Sequence, residues 1–275
     1  MEQVERESVS TQSVYCYDTI FTSDRWIEFM ESMCNQFRFP TRRRALLRML
    51  RVWLPAIVLL LGATAVFLDL AGDVWLQEGF VWDRPLMLAV HNLSAPWLDW
   101  TMLGITQLGT YGVALALLGV SWWLWRQVDP WTIWALWFSL GGATAINTVL
   151  KWLFGRPRPS VFPPLSVETS YSFPSGHTIA AAAFYGFLAL YLWQHRRPLW
   201  GFLIGLIVPL VAFSRIYLGV HYPSDVLGAL ALGTIWLTVA WRLYRHFRPN
   251  VPIAESPGAR PFQPSAPKNQ ETIYS

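Results

Sequence analysis

Charge is scarce in this sequence. Only 14% of its 275 residues are Asp, Glu, Lys or Arg, where a soluble domain carries about 25%. With apolar residues at 53% and 17 tryptophans, that deficit excludes an ordinary water-soluble globule and points to a membrane protein. Cysteine is scarcer still. Cys16 and Cys34 are the only two, both in the polar stretch before the first apolar run. They lack zinc-ligand spacing, and in a cytoplasmic tail they form no structural disulfide. No apolar h-region opens the chain, so no cleavable signal peptide is expected and the first apolar run serves as its own insertion signal. No His-Glu-x-x-His or clustered-carboxylate pattern occurs, so neither metal nor cofactor is expected. The net charge of +4 comes without a basic stripe or reader motif, which argues against a nucleic-acid partner.

What is present is a series of apolar runs. Six membrane spans are expected, at about 52–71, 101–125, 131–150, 178–194, 199–214 and 226–243, each near the ~20 residues that cross a bilayer. They must be helices, because lipid offers nothing to a free backbone N–H or C=O. The expectation is an all-α, six-transmembrane helix bundle. Residues 1–49 form a cytoplasmic N-terminal tail, 50–245 the membrane domain, and 246–275 a Pro-rich, disordered C-terminal tail. Between Tyr15 and Phe39 the tail is open to two readings, a short amphipathic helix or disorder.

Arginine sets the orientation. Arg42–Arg44, Arg126, Arg196–Arg197 and Arg242, Arg245 and Arg248 fall on one side. The 72–100 loop on the other side has Asp73, Glu78, Asp83 and Asp99 against Arg84 alone. The positive-inside rule then puts both termini in the cytoplasm of a multi-pass inner-membrane protein. Trp53, Trp97, Trp125, Trp131, Trp193, Trp200 and Trp241 read as interfacial anchors. Val81 to Asn92 reads as an amphipathic piece on the outer surface. Gly141–Gly142 and the Gly201/Gly205 pair would permit close helix packing.

Three stretches break the charge bias. The first is Lys151-Trp-Leu-Phe-Gly-Arg156-Pro-Arg158-Pro159, at the outer end of the third span; Lys151 is one of two lysines in the chain. These cations could hold phosphate oxygens or simply snorkel at a helix end. Arg156 could guide an anionic headgroup or cap a helix. The second stretch, Pro174-Ser175-Gly176-His177, opens the fourth span. Ser175 could be an ordinary N-cap; alternatively the helix end and Gly176 admit an anion beside His177, a proton donor near neutral pH. The third is Ser214-Arg215-x5-His221-x3-Asp225. One helical turn would bring His221 and Asp225 onto one face, after Pro223 opens the sixth span. Asp225 could orient the imidazole or only offset the helix dipole.

Together these stretches resemble the three-part signature of the type 2 phosphatidic acid phosphatase family, matched at Lys151, Arg158, Pro159, Pro174, Ser175, Gly176, His177, Ser214, Arg215, His221 and Asp225. The resemblance covers about residues 50–245. It implies an integral membrane enzyme, metal-independent, that hydrolyses lipid phosphates or diphosphates (phosphatidic acid, phosphatidylglycerol phosphate or undecaprenyl diphosphate) through a phosphohistidine. His221 would be the nucleophile, Asp225 its orienting acid and His177 the general acid. Lys151, Arg158, Arg215, Ser175 and Gly176 would bind the phosphoryl group at the extracytoplasmic surface.

Other classes fit less well. A non-enzymatic lipid-phosphate-binding protein would not need the intact acid–base set. A transporter would place its ionisable residues at mid-span, not at span ends. The related vanadium haloperoxidases share the anion pocket but not six apolar spans.

Overall fold

The computed structural model describes residues 42–127 and 129–248, with side chains from Leu54 onward. Both cysteines, the 15–39 stretch, the Trp53 side chain and residues 249–275 fall outside what it describes, while the expected tail at 246 begins inside the last helix, which runs to Phe247. The chain divides into two compact units, 1–59 and 60–275. Among the described residues the first holds only the start of helix α1 (Arg42–Trp75), and the second holds everything below.

Every regular element among the described residues is a helix. After α1 come α2 (Asp83–His91), α3 (Pro96–Gln107), α4 (Tyr111–Arg126), α5 (Pro130–Phe154), α6 (Gly176–Gln194), α7 (Pro198–Gly205), α8 (Ile207–Tyr217) and α9 (Pro223–Phe247). Five helical segments are long and apolar enough to cross a membrane, and the α3–α4 pair would make a sixth. Leu115, Leu118, Trp134 and Val149 are exposed. Around a bundle whose backbone is satisfied within its own helices, such a surface suits lipid.

Two helix breaks come from identifiable residues. The span expected over 101–125 is two helices bent by 45° at Leu108–Thr110. There the backbone runs too close to its neighbours for a side chain: a Cβ on Gly109 would lie 2.9 Å from Val211 and 3.0 Å from His177 Cβ. The freed carbonyl of Leu108 accepts from Tyr185 Oη at 3.0 Å, as a break at membrane depth requires. The fifth expected span is split at Leu206. Pro209 has no N–H to donate to Gly205 O, and its ring crowds that carbonyl.

Helix α6 is the centre, packed against α5, α7, α8 and α9. Its run Ala180–Ala183 and Gly186 are small, so neighbouring backbones can come close without a driving force beyond packing. A Cβ on Gly186 would meet Leu237 at 2.7 Å, and one on Gly233 would meet Ala182 Cβ at 2.7 Å. Of the glycines singled out for packing, Gly142 is sealed by the Trp236 ring and Gly201 by Ala189 O at 2.8 Å. Gly141 faces open space and Gly205 has ordinary contact distance. Trp241, expected as an anchor, is half-buried and packs edge-on against Phe187 of α6.

Candidate active site

Successive antiparallel helices bring distant stretches to one end of the bundle. Lys151 is in the last turn of α5, Gly176 begins α6, Arg215 is in the last turn of α8, and α9 begins just after His221. The 155–175 loop closes over them. A cavity of about 590 Å³ opens there, lined by Lys151, Arg158, Gly176, His177 and His221 among the residues expected from sequence, and also by Glu168.

His221 sits in the turn before α9, not on the helix, because α9 starts at Pro223. The pair thus meets across a helix start and not as neighbours one turn apart. His221 Nδ1 lies 3.5 Å from Asp225 Oδ2, and Nε2 lies 3.4 Å from Arg158 Nη1. Asp225 is fully enclosed. Its Oδ2 accepts from Ser172 Oγ at 2.5 Å and from the Tyr222 N–H at 2.9 Å. Its Oδ1 accepts from Arg156 Nη1 at 2.5 Å. A carboxylate so held keeps its charge. It also favours the imidazole tautomer with hydrogen on Nδ1, leaving the Nε2 lone pair toward the cavity. Burial pushes the His221 pKa down to about 4; Asp225 opposes the fall, and the charges of Arg215 and Arg158 add to it.

The cations are anchored from behind. Lys151 Nζ donates to Ser170 Oγ at 3.1 Å and to Tyr171 O. Arg158 donates from Nε to Ser170 O at 2.7 Å and from Nη1 to Val220 O at 2.8 Å. Arg215 is fully buried; it donates to Thr106 Oγ1 at 2.5 Å and to Glu168.

Glu168 is the acid that sequence reasoning missed. Its carboxylate binds Arg215, lies 3.9 Å from Arg158 and 3.9 Å from His177 Nε2, and screens Arg215 from the cavity. Burial alone would raise the Glu168 pKa; Arg215 first, then His177 and Arg158, outweigh it and hold the carboxyl below its ordinary range.

Ser175 is at the N-cap of α6 but makes no side-chain cap. Its Oγ accepts from Thr178 Oγ1 at 3.0 Å, and its N–H donates to Asp225 O at 3.3 Å. It is fully buried and does not line the cavity. Arg156 lines the cavity, and its guanidinium is held by two carboxylates. It bridges Asp225 to Asp83 of α2, 3.1 Å away on its other side, and lies over the Tyr222 ring at 4.4 Å. Asp83 in turn accepts from the Ser224 N–H at 2.8 Å. Asp83 and Asp99, read as loop acids, are therefore structural; Asp99 accepts from Tyr217 Oη at 2.5 Å.

A second, apolar cavity of about 460 Å³ runs between α4, α5 and α6, lined by residues such as Val113, Leu117 and Leu140. It shares Asn147, Gly176 and His177 with the first. Among the described residues no group of three or more His, Cys, Asp or Glu side chains is placed to hold a metal ion.

Residues 132–249 match the model of the PAP2 superfamily. Phosphatidylglycerophosphatase B of Bacillus subtilis is 35% identical over 178 residues, which is 62% of this chain and 86% of that one. Undecaprenyl-diphosphatase BcrC of the same organism is 33% identical over 174 residues, 60% of this chain and 86% of the relative. The crystal structure of a transmembrane PAP2-type phosphatidylglycerolphosphate phosphatase from Bacillus subtilis superposes with a TM-score of 0.64 at 29% identity, covering 70% of this chain and 98% of that one. The sequence signature, the helical frame and the matched length agree: this chain belongs to the PAP2 superfamily.

Proposed function

We propose that this multi-pass membrane protein is a lipid phosphatase that works through a phosphohistidine on His221. The observation that carries the reading is His221 itself. Its ring is backed by Asp225 at 3.5 Å and faces Arg158 at 3.4 Å, inside a cavity that also holds Lys151 and His177.

The chemistry follows from charge. A phosphate monoester carries about −1.5 to −2 charge at pH 7, so a neutral nucleophile approaches only where fixed cations offset that charge. Lys151 and Arg158 hold the phosphoryl oxygens, with Gly176 allowing close backbone approach; Arg215 joins them when Glu168 withdraws. Nε2 of His221 attacks phosphorus. The P–N bond forms, the bond from phosphorus to the leaving oxygen breaks, and His177 gives that oxygen its proton. Water then attacks the phosphohistidine, His177 takes the water's proton, and phosphate leaves with His221 restored. Positioning and electrostatics supply most of such catalysis.

The apolar cavity gives a lipid tail a route from the bilayer to the same point. Arg126, Arg196, Arg197, Arg242, Arg245 and Arg248 lie at the helix ends opposite the site, which supports six spans, cytoplasmic termini and an active site on the extracytoplasmic face of the inner membrane. In this reading residues 50–245 are the phosphatase domain between two tails. Substrates named for the relatives, phosphatidylglycerol phosphate and undecaprenyl diphosphate, are the first to assay, with phosphatidic acid. Wild type should release phosphate from at least one lipid of this panel and His221→Ala from none. Equal release by both would refute the nucleophile.

A further inference from the structure

We propose that Asn147 binds the leaving group, donating from its side-chain amide to the oxygen that departs from phosphorus. The proposal rests on the phosphatase reading above and adds a residue that no signature motif contains.

Asn147 lies on α5 one turn before Lys151, on the same face. It is 7% exposed, and its side chain forms no hydrogen bond among the described residues; its Oδ1 is fully buried without a partner. A buried amide inside a membrane helix ordinarily bonds to a neighbouring helix. Leaving one unpaired costs about 1–3 kcal/mol, so an apolar side chain of the same size would be the more stable choice here. Oδ1 is sealed inside, so Nδ2, which has no partner among the described residues either, is the atom left to meet a group from outside.

Its position says which. Asn147 lines both the cationic cavity and the apolar one, and shares that junction with Gly176 and His177. A lipid phosphate whose headgroup fills the first cavity and whose tail fills the second must cross between them, and the scissile oxygen is the atom that crosses. Nδ2 of Asn147 is packed against the start of α6, 3.1 Å from where a Cβ on Gly176 would stand. Gly176 therefore leaves room for the amide as well as for the phosphoryl group. As the bond to phosphorus breaks, negative charge grows on the leaving oxygen. His177 supplies its proton and the Asn147 N–H stabilises the charge until that proton arrives. In a monoester this oxygen belongs to the lipid alcohol; in a diphosphate it belongs to the phosphate that stays on the lipid.

The test compares leaving groups. Full-length wild type, Asn147→Leu and Asn147→Ala are assayed in detergent on a long-chain lipid phosphate monoester and on p-nitrophenyl phosphate, whose phenolate departs with little help. In both variants kcat/KM for the lipid, divided by that for the aryl ester, should fall about a hundred- to a thousandfold, the range for losing one transition-state donor. The melting temperature of Asn147→Leu should not fall below that of wild type. A ratio that does not move would overturn the proposal, since Asn147 would then act on the phosphoryl group or not at all. So would a loss confined to Leu, which would indicate blockage of the passage, or a melting point lowered in Asn147→Leu, which would indicate a packing role. Wild type inactive on both esters would instead defeat the phosphatase reading itself.

Discussion

Arg156 Nη1 lies 2.5 Å from Asp225 Oδ1, while the other oxygen of the same carboxylate faces His221 at 3.5 Å. With Asp83 beyond Arg156, charges of alternating sign run from α2 to the imidazole. Removing the guanidinium would leave Asp225 and Asp83 buried with less compensation, and a lone buried charge is costly. Arg156→Ala should lower kcat about 10- to 100-fold, as loss of an outer partner does, with a smaller change in KM. Arg156→Lys should recover only part, because one ammonium cannot span both carboxylates. Steady-state kinetics on a lipid phosphate checks this; a wild-type kcat in Arg156→Ala would contradict it.

The pKa of His221, pushed down to about 4 by burial, has a defined sign in pH experiments. The folded enzyme keeps this imidazole neutral at pH values where an unfolded histidine, at 6.5, takes up a proton. Acidification from 6.5 to about 4 therefore favours the unfolded chain, and stability from this group falls through that window. Histidine NMR in detergent should show, at about pH 5, a neutral-ring signal that is absent from the spectrum of His221→Ala. A His221 midpoint at or above 6.5 would be inconsistent with the buried site.

Glu168 stands where an incoming anion would meet Arg215. Inorganic vanadate, a phosphate mimic that can accept a fifth ligand, should compete with it. Glu168→Gln should bind vanadate more tightly, by about threefold to fivefold, in line with the ~1 kcal/mol typical of a partly exposed ion pair. The inhibition constant against lipid hydrolysis is the readout. Unchanged or weaker inhibition would place Glu168 outside the anion's path.

Gly142 and Gly141 offer a packing test within one helix. A Cβ on Gly142 would run into the Trp236 ring, whereas one on Gly141 meets nothing within 4 Å. Gly142→Ala should destabilise the detergent-solubilised protein by about 1–3 kcal/mol, the usual cost of overpacking. Gly141→Ala should melt as wild type does. Equal melting temperatures for the two variants would argue against the close α5–α9 contact.

Much of this was legible in the sequence because helices impose local arithmetic. The lengths of apolar runs located α5, α6 and α9 to within a few residues, and placing Lys151, His177, Arg215 and His221 at helix ends brought them together once the helices alternated in direction. What escaped depends on loops. Nothing near Arg156 or Asp83 in sequence indicates that they meet, since the contact forms only when α2 docks on the start of α9. Ser172 and Glu168 lie in the 155–175 loop, where no period constrains them. The break within 101–125 had one visible signal, Gly109 followed by Thr110, but a glycine inside an apolar run is not by itself a bend. Trp241 looked like an anchor from its place near a span end; the Phe187 ring that packs edge-on against it comes from another helix.

Trapping the enzyme in mid-reaction tests the central claim most directly. Wild type mixed with lipid labelled in its terminal phosphate with 32P and quenched in alkali within milliseconds should carry acid-labile label on His221, located by peptide mapping, and His221→Ala should carry none. Label on another residue, or a wild type that turns over under these conditions without ever becoming labelled, would contradict the account.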